Sequence, residues 1–146
     1  MDSMKGGSMA GSDEGRITWA PWVPGAEAAT TQPVIVAVTD FHYDGVETMH
    51  QAARVGLGLS RSWGTLQGAV GLWLWNAPGL IRGGSISIWD TEGNLWRFIN
   101  SPVHLRIMAA WRGRGVVTSD HWRQEDFDHI EVRESVKTML LEKWRA

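Results

Sequence analysis

The spacing of apolar and polar residues changes several times along the chain, and each change marks a new element. From Val34 to Phe41 the residues are β-branched or apolar almost without a break, bounded by Pro33 and Asp44-Gly45. That is the pattern of a strand buried on both faces. Val46, Met49, Ala53 and Leu57 then recur at the spacing of an amphipathic helix, whose end is weakened by Gly56 and Gly58. Over 68–76 the period returns to two, with Leu72 and Leu74 alternating against Trp73 and Trp75. Ala77-Pro78-Gly79 turns the chain into a hairpin partner that begins at Gly83.

The stretch from Gly83 to Trp111 organises the rest. Ser85, Ser87 and Trp89 alternate with Ile86, Ile88 and Asp90, so this strand has two chemically different faces. Asp90 and Thr91 are good N-cap residues, and Glu92 places a negative charge where the helix dipole favours one. Leu95, Phe98 and Ile99 continue as a buried helical stripe, and Leu105, Met108 and Ala109 resume it after Pro102. Proline removes an N–H and clashes with the preceding turn. The helix is therefore expected to break at Ser101-Pro102 and restart with Ser101 as cap and His104 in its first turn. On this spacing His104, Leu105 and Met108 face the sheet.

Gly113 and Gly115 end that helix. A fourth strand follows over 116–124, with Val117, Ser119, His121 and Arg123 on one face, and then a terminal helix over 132–144 that is expected to cover an edge. The order βαββαβ is the ferredoxin-like split unit, an α+β fold with an antiparallel sheet and both helices on one side. Its strands carry Val, Leu and Trp on both faces, so the open face needs a cover. A homodimer closing two sheets face to face supplies one through a two-fold interface.

The serine-bearing strand, Trp89-Asp90, Leu95, Phe98, Ser101-Pro102, His104 and Met108 together resemble the dimeric α/β-barrel superfamily, over about residues 33–127. Antibiotic-biosynthesis monooxygenases and spheroidene-monooxygenase-like proteins are grouped there. The resemblance implies a dimeric α/β barrel with a ligand cleft between the sheet and the helices of one subunit. It also implies monooxygenase chemistry that often needs no cofactor, or cyclase chemistry on polyketide substrates. The spheroidene-monooxygenase-like members are associated with haem, which leaves haem open here as well.

Residues 1–32 are rich in small and polar residues without periodicity and read as a flexible or extended N-terminal tail, leaving 33–146 as the domain. Within that tail Trp19, Pro21, Trp22 and Pro24 form a candidate docking segment. The net charge of −2 gives no electrostatic case for nucleic acid or an anionic membrane surface. No apolar run approaches a membrane span and no signal-peptide pattern begins the sequence, so a cytoplasmic protein is expected. Cysteine is absent, which removes disulfides, thiolate metal sites and a cysteine nucleophile.

The candidate chemistry rests on histidines and indoles. Nucleophile elbows, P-loops, complete dinucleotide fingerprints and zinc-protease motifs are all missing. The five histidines have no zinc-type spacing, so no metal is expected. His104, in an apolar cleft, is the leading candidate for acid/base work, with His121 and Asp40 as further catalytic candidates. Asp40 shares a strand face with His42 and could orient it, whereas Asp120 and His121 point to opposite faces. Ten tryptophans stand against one tyrosine and three phenylalanines, more indole than a core this size needs. Trp73, Trp75, Trp89, Phe98 and Met108 are accordingly expected to bind substrate.

These features point to a small-molecule enzyme with a flat, apolar substrate, and the resemblance implies that it is monooxygenase-like, acts on an aromatic or polyketide-like compound and works without a cofactor. A cyclase, isomerase or dehydratase of secondary metabolism on the same fold is the first alternative. A non-catalytic dimeric ligand-binding module is the second.

Overall fold

The computed structural model describes residues 16–145. Its sheet is built from β1 (Thr18–Trp19), β2 (Val23–Pro24), β3 (Val34–Tyr43), β4 (Ala69–Ala77), β5 (Arg82–Trp89) and β6 (Gly115–Gln124). The helices are α1 (Val46–Ser60), α2 (Glu92–Ile99), α3 (Pro102–Trp111) and α4 (His129–Arg145), with a 3₁₀ turn at Trp63–Thr65. The strands run in the order β1-β4-β5-β3-β6, with β2 also on β4, and every pairing is antiparallel. This is the ferredoxin-like arrangement that the βαββαβ pattern predicts. No helix among the described residues is long and apolar enough to cross a membrane.

Alternation along β3 divides the core into two layers. Val34, Val36 and Val38 are buried on one face, while Ile35 and Ala37 pack against the other. The α1, α2 and α3 side forms a smaller layer in which Trp63, Ala69, Leu72, Trp89 and Leu95 are buried. The larger layer joins Val34, Val36, Val38, Trp73, Trp75, Ile86 and Ile88 to Val132, Val136 and Leu140 of α4.

That second layer corrects two expectations. The terminal helix covers a sheet face rather than an edge, its three apolar positions sitting one turn apart on the side that meets the valines of β3. The same face was assigned to a second copy of the chain. Since α4 buries it within one chain, the apolar face alone no longer calls for a partner.

Residues 16–32 are not a tail either, and the part of the expected tail before residue 16 lies outside the described residues. Thr18 and Trp19 pair with Asn76 and Trp75, while Val23 and Pro24 pair with Leu72 and Gly71. Trp22 stacks on His129 with centroids 4.5 Å apart and leans on Trp73 at 5.2 Å. The Trp22 indole lies so close to Gly71 that any side chain there would overlap it. The indole-and-proline segment does dock, but on its own sheet.

Candidate functional site

Between the sheet and α1–α3 lies a cavity of about 870 Å³. Its volume follows from small residues on both sides. The floor carries Ala37, Thr39, Ser85 and Ser87, and α1 presents Ala52, Ala53 and Gly56. The expected α1 stripe holds in part, with Ala53 and Leu57 lining the cavity. Val46 and Leu57 are exposed, and only Met49 of that stripe is buried.

The roof is α3, reached through the predicted break. Thr91 caps α2 by accepting from the backbone N–H of Asn94 at 3.1 Å. The chain restarts at Pro102 with Ser101 accepting from the His104 N–H at 3.3 Å. Yet α3 buries no residue fully. Leu105 is 53% exposed and does not line the cavity, so the expectation that it faces the sheet fails, whereas Met108, 46% exposed, looks onto the cavity. Because α3 spans the void, His104, Ile107, Met108 and Trp111 border the cavity instead of filling it.

His104 has the environment of a base. Its Nδ1 lies 3.0 Å from the Ile99 carbonyl oxygen, so the neutral ring carries its proton there and leaves Nε2 as an acceptor. Among the described residues Nε2 has no hydrogen-bond partner. Burial pushes the His104 pKa below the ordinary histidine value, and the hydrogen bond to Ile99 partly opposes that. Phe98 leans on the ring at 4.9 Å.

Aromatic rings close the cavity at its sides. Trp63, 1% exposed, meets Trp89 and Phe98 edge-on at 5.3 and 5.4 Å, and no partner is found for its Nε1. Phe41 and Tyr43 stack at 4.6 Å on the wall opposite. Burial, assisted by the negative charge of Asp40, raises the Tyr43 pKa to about 12, so its hydroxyl stays protonated.

The sequence candidates divide between the two sheet faces. His104, Phe98 and Met108 border the cavity. His121 stands at its rim, where Nε2 is 3.3 Å from Glu92 Oε2 and the ring meets Trp96 at 5.7 Å. Trp89 lies behind the wall, buttressing Trp63 and donating to Ser87 Oγ at 3.0 Å. Trp75 touches the cavity border, but its ring packs on Trp144 in the α4 layer.

Asp40 and Trp73 are corrected outright, because both project to the α4 face. Trp73 donates to the His129 carbonyl oxygen at 3.0 Å. The Asp40 carboxylate, 2% exposed, accepts from Arg82 Nη1, Lys143 Nζ and Trp144 Nε1, at 2.9 Å from the last two. Asp40 fastens α4, while His42 beside it is exposed. Trp63, Trp111, Phe41 and Tyr43 were missed as wall residues. The excess of indole was the signal, but Trp63 lies in an irregular connection that no period assigns to a face.

No family model and no curated protein sequence matches the chain. Solved structures do. One is LmHde, a heme-degrading enzyme from Listeria monocytogenes, at TM-score 0.57 and 15% identity over 75% of this chain and 70% of that one. Another, from Listeria monocytogenes 4b F2365, is an uncharacterized ferredoxin-fold protein related to antibiotic biosynthesis monooxygenases. It matches at TM-score 0.52 and 18% identity over 63% of this chain and 57% of its own length. A monooxygenase-like protein from Listeria innocua matches at TM-score 0.50 and 16% identity, over 64% and 57%. The chain thus spans little more than half of two of these relatives, and at such identities the likeness is one of fold.

Proposed function

We propose that this chain is a small-molecule enzyme that binds a flat, mostly apolar, aromatic substrate in the cavity and oxidises it with dioxygen, using His104 as the base. One observation carries this reading: a half-buried, neutral histidine with Nδ1 anchored to Ile99 and Nε2 unpartnered, beside a large apolar cavity.

The chemistry needs a substrate with an activated CH₂ group. His104 Nε2 takes one proton, and the resulting carbanion transfers its electrons to dioxygen as a C–O bond forms. The protonated histidine returns that proton to the terminal peroxide oxygen. Loss of the second C–H proton then breaks the O–O bond, forms the carbonyl and releases water, so that CH₂ and O₂ become C=O and H₂O. The protein contributes a positioned base and a largely apolar pocket. The same base without dioxygen would serve a cyclisation or isomerisation.

A histidine whose Nδ1–H is held by a backbone carbonyl has its Nε2 oriented as metal-ligating histidines do, so His104 is the residue that would hold haem iron. Bound there, haem would supply redox-active iron for oxygen chemistry.

The test is oxygen uptake and absorbance with anthrone as substrate, in wild type and His104→Ala. The expected loss in turnover is about 10²-fold to 10⁴-fold, the usual worth of one positioned base. Full activity in His104→Ala would end the assignment. A shift and sharpening of the Soret band on adding haem to the wild type and not to the variant would select the iron-dependent form.

A further inference from the structure

The cavity floor carries an ordered set of hydroxyl groups that the acid/base chemistry does not use. Thr39 on β3 pairs directly with Ser85 on β5 and with Ser119 on β6. The three therefore form one transverse row across three adjacent strands, on the face that lines the cavity. Among the described residues none of the three hydroxyls has a hydrogen-bond partner. Their neighbours in the next rows are apolar or already engaged: Ala37 and Phe41 flank Thr39 on the same face, and Ser87 accepts from Trp89. In an antiparallel sheet the spacing along such a row is set by the backbone, at about 4.8 Å per strand.

We infer that Thr39, Ser85 and Ser119 form a specificity row that recognises a ligand by the spacing of its oxygen substituents, favouring a planar aromatic with oxygens on alternate ring carbons. This rests on the proposed reading of the cavity as an aromatic-binding site. Oxygens on alternate carbons of a six-membered ring are separated by about one strand spacing, whereas oxygens on neighbouring carbons lie much closer. A 1,3-dioxygenated ring lying along the floor can therefore engage Thr39 and one flanking serine together. A 1,2-dioxygenated ring reaches only one hydroxyl at a time. Each hydroxyl both donates and accepts, so phenols and carbonyls are read alike. The walls of Trp63, Phe41 and Trp111 supply flat contact for any aromatic, and the floor adds the discrimination.

Calorimetric titration of the full chain with three probes tests this: 2-naphthol, 1,3-dihydroxynaphthalene and 2,3-dihydroxynaphthalene. Wild type is expected to bind the 1,3-isomer about tenfold more tightly than the 2,3-isomer, the order of one additional hydrogen bond. Thr39→Val, which keeps the shape of the side chain, is expected to remove that preference, weakening the 1,3-isomer more than the 2,3-isomer or 2-naphthol. Ser85→Ala and Ser119→Ala provide second variants that disturb the fold least, and thermal melts verify that each variant is folded. Equal binding of the two isomers by wild type overturns the inference, as does a preference that survives Thr39→Val and the double serine variant. If 2-naphthol itself fails to bind, the aromatic-cavity reading falls and the row falls with it. If 2-naphthol binds without isomer preference, only the row falls.

Discussion

His104 feels two opposed influences on its proton: burial disfavours the imidazolium, and the Ile99 carbonyl favours it by accepting from Nδ1. Burial is the larger, so the folded pKa lies below the unfolded value of about 6.5. As pH falls through that window the unfolded state binds more protons than the folded one, and stability declines. Unfolding free energy should therefore rise with pH up to about 6.5 and then level for this group. The His104 ring should titrate by NMR with a midpoint below 6.5, and His104→Gln should flatten its share of the slope between pH 5 and 7. A midpoint above 6.5 would mean that the ring is not desolvated and is a poor candidate base. The position of His104 was legible in the sequence because Ser101 and Pro102 fix the helix start by local chemistry. The face of Asp40 was not. A run that is apolar at nearly every position carries no period to say which side its one carboxylate takes, and only the placement of α4 decides it.

Among the strands of the hairpin, two chemically distinct faces make the sides legible, and two apolar faces do not. β5, with serines on one side and isoleucines on the other, was assigned as it stands. In β4 both faces are apolar, so Trp73 and Trp75 were given to the ligand when Leu72 and Leu74 hold the cavity side. In α1 the expected stripe mixes two roles, since Ala53 and Leu57 line the cavity while Met49 is buried and Val46 is exposed. The short strands β1 and β2 were invisible for another reason. Two residues are too few to show a period, and their stability comes from pairing with β4 and from Trp22 lying over Gly71. That contact yields a prediction. Trp22→Ala should cost about 3 kcal/mol through lost burial, a fall of roughly 6–12 °C in Tm for a chain of this size. Gly71→Ala should cost a similar amount by expelling the same indole. The double variant should be scarcely worse than either single one, since both remove one contact. Additive losses would show that the two residues act separately.

For the whole molecule, the consequential step is the return of the chain across its own sheet. Asp40 receives three donors from two other elements, Arg82 of β5 and Lys143 and Trp144 of α4, and Lys143 also donates to Thr118 of β6. The Arg82 guanidinium lies over the Trp144 ring at 5.3 Å, which packs the last turn of α4 further. A carboxylate buried to this degree is tolerated because its oxygens are engaged by cations and an indole N–H, and losing its charge leaves those donors unpaired. Beneath α4 lie Val34, Val36, Val38, Ile86 and Ile88, a contiguous apolar surface that a lone sheet would show to water. Removing residues 126–146 should therefore turn that face into an adhesive one. At micromolar concentration the truncated chain is expected to sediment at a larger mass than the full chain, and Asp40→Asn to shift partway in the same direction with a lowered Tm. The opening beside His104 lies on the other side of the sheet, so binding of 2-naphthol should survive Asp40→Asn. If the truncated chain sediments as the full chain does and melts as sharply, α4 is dispensable packing and the face beneath it needs no cover.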